Sequence, residues 1–225
     1  MVFRSRSGAA AGYGRASGYR PSRATGAVGT SRGGRVTGAA VVMLGWVGLL
    51  WVLEVIDVAS GHALDTFGVS PRELGELRDV VPAAFVHFGF GHLAANSVPL
   101  LVLGFLVALS GLRHLLAVVT VIILASGLGV WLTAPEHSTT AGASGVVFGL
   151  LGYLLVRGFV NRDVGDLLVG LLVGVVYGSV LWGVLSTASE VSWQGHLFGL
   201  AGGVAAAFAL RRPGGTRRAL SRTRR

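Results

Sequence analysis

The sequence predicts an all-α integral membrane protein, a bundle of six transmembrane helices, on three observations. Of the 225 residues, 52% are hydrophobic and only 13% charged, with a mean hydropathy of +0.68, the composition of a chain that satisfies its backbone internally and hides in lipid. Six apolar runs, at about residues 36–56, 92–110, 115–134, 143–160, 167–187 and 193–210, are each long enough or nearly so to cross a hydrocarbon core of about 30 Å. The third observation is where arginine falls, because cytoplasmic loops carry the positive excess. With six spans and both ends inside, all nineteen basic residues except Arg72 and Arg78 lie on the cytoplasmic side. Those two share the outside loop, residues 57–91, with Asp57, Asp65, Glu73, Glu76 and Asp79.

The same reading divides the chain. Residues 1–35 form an Arg/Gly-rich tail expected to be disordered and cytoplasmic. Residues 36–210 hold the six-span domain, and residues 211–225 form an Arg-rich cytoplasmic tail. The pI near 11.4 therefore describes the tails. They carry no aromatic or base-reading motif, so no nucleic acid is expected, and their charge suits the anionic headgroups of a cytoplasmic membrane face. The absence of cysteine excludes disulfides, thiolate nucleophiles and cysteine metal sites. No metal and no cofactor are expected. A long positive N-terminal region before a run of full membrane length reads as a retained signal anchor, and a cleaved leader or an amphipathic targeting segment fits poorly. The expected location is the cytoplasmic membrane of a prokaryote, crossed several times; the oligomeric state is open.

Each span adds detail. The first ends on Glu54 and Asp57, expected at the interface within reach of headgroups. The loop that follows mixes apolar and polar residues around Val80 to Phe90 and is expected to form short interfacial helices. Pro99, early in the second span, removes a backbone donor and frees a carbonyl. The fourth carries Gly145, Gly149 and Gly152, and the sixth Gly199 and Gly203, rows that let a neighbouring helix come close.

Gly142-Ala143-Ser144-Gly145 sits where the charge-poor polar segment Thr133–Ala141 meets the apolar run Val146–Val156. A serine there opens a membrane helix, flanked by small residues, beside the unpaired N–H groups of a helix N-terminus that can hydrogen-bond an anion. The second span begins near His87 and places His92 and Asn96 four residues apart on one face. In the sixth, His196, Gly199 and Gly203 form one stripe, which aims the histidine at the helix packed in the glycine groove. Spans two, four and six run in the same direction, so His92, Asn96, Ser144 and His196 share the outer part of the membrane. Each has an ordinary explanation alone: small residues for helix packing, an interfacial histidine, an asparagine bridging helices. Together they are a nucleophile, a base and side-chain donors for an oxyanion. Rival patterns fail on spacing. Val146 stands where a nucleophile elbow needs its second glycine, His87 and His92 do not make a zinc-binding HExxH, and Asp163 and Asp166 fall at the opposite end.

The sequence resembles the rhomboid intramembrane serine proteases over about residues 36–210, leaving the tails out. Three family motifs occur in order: His-x4-His-x3-Asn as His87, His92 and Asn96; Gly-x-Ser-Gly as Gly142 to Gly145; and a Gly-His pair followed by glycines, as His196, Gly199 and Gly203. The resemblance implies a six-helix bundle of the rhomboid type that hydrolyses peptide bonds in or near the outer part of other proteins' transmembrane helices. It implies Ser144 as nucleophile and His196 as base and then acid, with His92, Asn96 and the Ser144 N–H holding the oxyanion. Phe148, four residues after the serine, takes the place of the ring that stacks on the catalytic histidine. Two departures stand out: Leu77-Arg78 where many relatives have Trp-Arg, and Phe148 where tyrosine is common. The alternatives are a non-proteolytic rhomboid-like protein that binds transmembrane clients, and a small transporter, for which the inverted repeats and midplane polar groups are lacking.

Overall fold

The computed structural model describes residues 32–185 and 192–211, so most of both Arg-rich tails lies outside the described residues. Six α-helices follow one another: α1 (Arg32–Ala59), α2 (Phe90–Ala108), α3 (Leu112–Thr133), α4 (Ser144–Asn161), α5 (Val164–Tyr177) and α6 (Trp193–Ala209). Among the described residues there is no β-strand, and one isolated bridge joins Val69 to Thr140. Helices α1 to α4, and α5 with its 3-10 continuation to Gly183, are long and apolar enough to cross a membrane. The 17 residues of α6 span about 25 Å, one residue short of α4, against which it packs. The protein is a multi-pass membrane protein with an all-helical core.

α4 is the centre of the bundle. Over Ser144–Gly152 it is apolar or small on every face, and a helix of that kind is buried all round; Val146 to Leu151 are all buried. Its glycines meet the backbone of α6 directly. A methyl group on Gly149 would lie 2.9 Å from the Gly199 carbonyl oxygen, and one on Gly152 would lie 2.7 Å from that of Leu200. In return, a methyl group on Gly203 would lie 2.9 Å from the Gly149 Cα. α1 packs at the edge against α2, with Met43 filling the space over Gly104. The Trp51 indole donates to Ser97 Oγ at 3.0 Å and stacks on Phe90.

Four sequence expectations change. Arg32 to Arg35, assigned to the tail, are the first turn of α1, because a spanning helix continues past its apolar run while its own hydrogen bonds can still be made. Glu54 and Asp57 are 2% and 1% exposed rather than directed at headgroups: residues 60–65 fold back over the end of α1, and Asp57 accepts from the Leu64 N–H at 2.7 Å. The fifth helix is shorter than its apolar run. It starts at Val164, capped by Asp163 accepting from the Asp166 N–H at 2.8 Å, and becomes a 3-10 helix over Gly178–Leu185. Finally, Arg157 is no free cytoplasmic charge. It is buried in α4, ion-paired with Asp166 and lying 5.7 Å over the Tyr153 ring.

The loop between α1 and α2 holds 3-10 turns at Ala63–Phe67, Leu74–Val80 and Pro82–Ala84. It is fastened to the α3–α4 connection at several points. Val69 and Thr140 exchange backbone hydrogen bonds at 2.9 and 3.1 Å. The Arg72 guanidinium donates to the Ala134 carbonyl and the Trp131 indole to that of Glu73. The Gly142 N–H donates to the Ala83 carbonyl at 2.8 Å. In the Leu77-Arg78 departure, Arg78 is exposed beside the buried Asp79 carboxylate, at 3.4 Å.

Candidate active site

Ser144 is the first residue of α4, so its N–H has no acceptor in its own helix. The chain reaches it through Gly142, at φ +125°, a conformation that L side chains rarely adopt. A methyl group at Gly142 would also stand 2.6 Å from His92 Cε1. The glycine thus lets the backbone turn into α4 and lets the His92 ring lie against it. One residue on, the Ala143 N–H donates to His87 Nε2 at 3.1 Å. That places the proton of neutral His87 on Nδ1. His87 is 1% exposed and meets the His92 ring edge-on at 5.2 Å. Its part is therefore to hold the turn before Ser144 and the ring of His92, a role its place in the motif did not disclose.

His196 enters from the first turn of α6, whose start is capped by Ser192 Oγ accepting from the Gly195 N–H. Its Nδ1 lies 3.0 Å from the Gly183 carbonyl oxygen, which can only accept; the imidazole therefore carries its proton there and leaves the Nε2 lone pair available. Phe148 stacks on the ring at 4.0 Å between centroids and 11° between planes. A phenyl ring packs as well as a phenol here, since the contact is made by its face. The imidazole is held in its plane by Phe148 and in its tautomer by Gly183. Gly183 must itself be small, as a methyl group there would come within 2.9 Å of the Phe148 ring. The sequence marked neither Gly183 nor the 3-10 helix that presents it.

Ser144 and His196 line one groove of about 1310 Å³, together with Phe148, His92, Asn96, Pro99 and Gln194. Among the described residues no hydrogen bond closes between Ser144 and His196, as is common before substrate arrives. Asn96, 7% exposed, uses one amide hydrogen on its own helix, donating to the His92 carbonyl at 3.1 Å, which leaves the second available. Pro99 sits inside an unbroken α2 and on the wall of the groove. Its missing N–H frees the Ala95 carbonyl four residues earlier, and Ala95 lines the same groove. Ser138, Thr139 and Thr140 line its rim, with the Ser138 hydroxyl already donating to the Pro135 carbonyl.

The supporting glycines are backbone contacts. A methyl group on Gly199 would come within 3.1 Å of the Gly145 Cα, so α6 lies against the first turn of α4 just beside Ser144. A methyl group on Gly145 would meet Ser126, whose hydroxyl donates to the Gly195 carbonyl at 2.9 Å. Ser126 thereby ties α3 to the turn of α6 that carries His196. In the sequence, a serine followed by Gly127 and Gly129 in mid-span is the signal of this helix contact.

Comparison with known proteins identifies the family. The family model for the Rhomboid domain matches residues 74–213. The uncharacterized protein Rv1337 of Mycobacterium tuberculosis is 41% identical over 201 residues, covering 86% of this chain and 83% of that protein. The uncharacterized protein ML1171 of Mycobacterium leprae is 37% identical over 211 residues, covering 90% and 82%. Rhomboid protease GluP of Bacillus subtilis is 30% identical over 170 residues, which is 73% of this chain and a third, 33%, of GluP. With helices, motifs and relatives in agreement, the chain belongs to the rhomboid family.

Proposed function

We propose that the protein is an intramembrane serine endopeptidase that cleaves transmembrane protein substrates in or near the outer part of their helices, using Ser144 and His196 as a dyad. The observation that carries the proposal is the double restraint on His196. Gly183 fixes the proton on Nδ1 and Phe148 fixes the ring plane, on the wall of the groove that also exposes Ser144. A histidine kept only for packing needs neither a defined tautomer nor a place on the wall of a groove.

The chemistry follows from these positions. His196 Nε2 takes the Ser144 hydroxyl proton as the oxygen attacks the substrate carbonyl carbon. The negative charge that forms on the carbonyl oxygen is met by the Ser144 N–H, by His92 and by the second amide hydrogen of Asn96. His196 then delivers its proton to the leaving amine. The acyl group on Ser144 is released by water, with His196 again as base. A helical peptide bond is guarded by its own hydrogen bonds, so the substrate must unwind locally to enter the groove, and helix-weakening residues in the target favour it. In this proposal the protein works in the cytoplasmic membrane of a prokaryote with both termini in the cytoplasm, where the charge of the basic tails suits anionic headgroups.

The test is cleavage of one transmembrane substrate by the purified protein in detergent, wild type against Ser144→Ala, together with labelling by a serine-reactive fluorophosphonate. The proposal requires cleavage and labelling in the wild type and neither in the variant. A folded wild type that cleaves no substrate and takes no label is instead a non-proteolytic rhomboid that binds transmembrane clients.

A further inference from the structure

Outside the groove, the C-terminal end of α1 gathers a second set of ionisable groups. Asp57, His62 and Asp65 each bring a ligand-type atom to one place, and these atoms all lie within 4.8 Å of one another. His62 reaches it because Gly61 and His62 both take left-handed backbone conformations, at φ +70° and +65°, which turn the chain back over the helix end. Its Nδ1 stands 2.9 Å from Asp57 Oδ2 and 3.7 Å from Asp65 Oδ2. Burial, and next the neighbouring Asp57, raise the Asp65 carboxyl above the usual carboxylate range, while His62 opposes the rise.

Glu54 is the independent observation. It lies one turn before Asp57 on the same face of α1, is 2% exposed, and has both carboxylate oxygens buried without a hydrogen-bond partner. It lies within electrostatic reach of Asp57, Asp65 and His62, and the Gly89 backbone lies beside it but makes no hydrogen bond of normal geometry. One further oxygen, Asp65 Oδ1, is likewise buried and unpartnered. Three carboxylates thus face at most one imidazolium, and three of their oxygens face nothing. A purely structural ion pair between His62 and Asp57 accounts for Asp57 and leaves Glu54 unexplained.

We propose that Asp57, His62 and Asp65, with the buried Glu54 one turn away on α1, form a binding site for a divalent cation of the zinc class. The mixture of one imidazole with carboxylates suits zinc better than calcium, which prefers oxygen ligands throughout. Ligand atoms around a tetrahedral zinc stand roughly 3.3 Å apart; the atoms of Asp57, His62 and Asp65 lie within 4.8 Å of one another, so the widest pair must draw in by up to about 1.5 Å, a movement open to the partly exposed Asp65 and exposed His62 side chains. His62 gives up its Nδ1 proton and coordinates through that nitrogen in place of donating to Asp57. The cation supplies the positive charge that the buried Glu54 lacks.

The experiment uses the full chain, tag-free in detergent and stripped of metal. Metal content after equilibration with buffered ZnCl2, and melting temperature with ZnCl2, CaCl2 or EDTA, are measured for the wild type, Asp65→Asn and His62→Asn. Asparagine is chosen at His62 because it tolerates the left-handed backbone. The expected result is one zinc per wild-type chain, a rise of about 5 °C in melting temperature at saturation that EDTA reverses, and no response to calcium. In both variants the zinc and the rise are lost. Zinc bound to the adjacent His87 and His92 rings survives both substitutions, and that outcome overturns the proposal. A wild type that takes up no zinc, or responds to calcium alone, overturns it equally.

Discussion

A histidine serves as a base only through the nitrogen that lacks a proton, and in this protein a single backbone carbonyl decides which one that is. In the proposed dyad Ser144 and His196 act as one unit, so Ser144→Ala, His196→Ala and the double variant are expected to be about equally inactive in turnover of a transmembrane substrate. In the proposed mechanism Asn96→Ala removes one donor among several to a charge that exists only in the transition state. The expected loss is up to about a hundredfold, in turnover rather than in apparent affinity, with the fold retained in a melting experiment. A folded Asn96→Ala protein with full activity would make Asn96 a structural residue only. Gly142→Ala meets two penalties at once, a φ of +125° and a methyl group 2.6 Å from His92 Cε1. The backbone penalty alone is about 1–2 kcal/mol, and the displaced His92 should lower turnover by more than the loss of stability explains.

Between elements, the contact of α4 with α6 sets the distance from serine to histidine. Gly199→Val forces the two backbones apart at Gly145, one residue after Ser144. A misplacement of about 1 Å costs on the order of a hundredfold in rate, so activity is expected to collapse in protein that still elutes as a folded species; normal cleavage by Gly199→Val would refute the packing argument. At the other end of α4, Asp166→Asn strands the buried Arg157 without its carboxylate partner. Removing one member of a buried pair costs about 3–5 kcal/mol, read as a lowered melting temperature. Replacing both with apolar residues, Arg157→Met with Asp166→Leu, should recover much of the loss.

At the scale of the whole molecule, the loop between α1 and α2 is a cover fastened to the α3–α4 connection, and it holds the turn that presents Ser144. The membrane orientation proposed here places that loop outside. In this cysteine-free chain single cysteines report it directly: Gly75→Cys, in open space on the loop, should react with an impermeant thiol reagent in intact cells, whereas Ser5→Cys and Leu220→Cys should react only after lysis. Labelling of either terminus in intact cells would reverse the orientation, and with it the leaflet in which cleavage is proposed.

How much of this was legible in the chain depended on the range of the interaction involved. Hydropathy and span length are local, so the helices and the membrane could be read residue by residue. Spacing along one helix is local too, which is why Gly199 and Gly203 announced a close helix contact and why His92 and Asn96 could be placed on one face. What the sequence alone could not decide was anything that depends on a distant segment folding over a local one. Glu54 and Asp57 read as a wet helix end and became buried because residues 60–65 return over them. Arg157 read as a topological charge and became half of an ion pair because α5 brings Asp166 alongside. The tautomer of His196 rests on the Gly183 carbonyl and the turn before Ser144 on His87 Nε2, separations of 13 and 56 residues. A backbone carbonyl has no side chain to mark it, so only the tertiary structure could place one against His196.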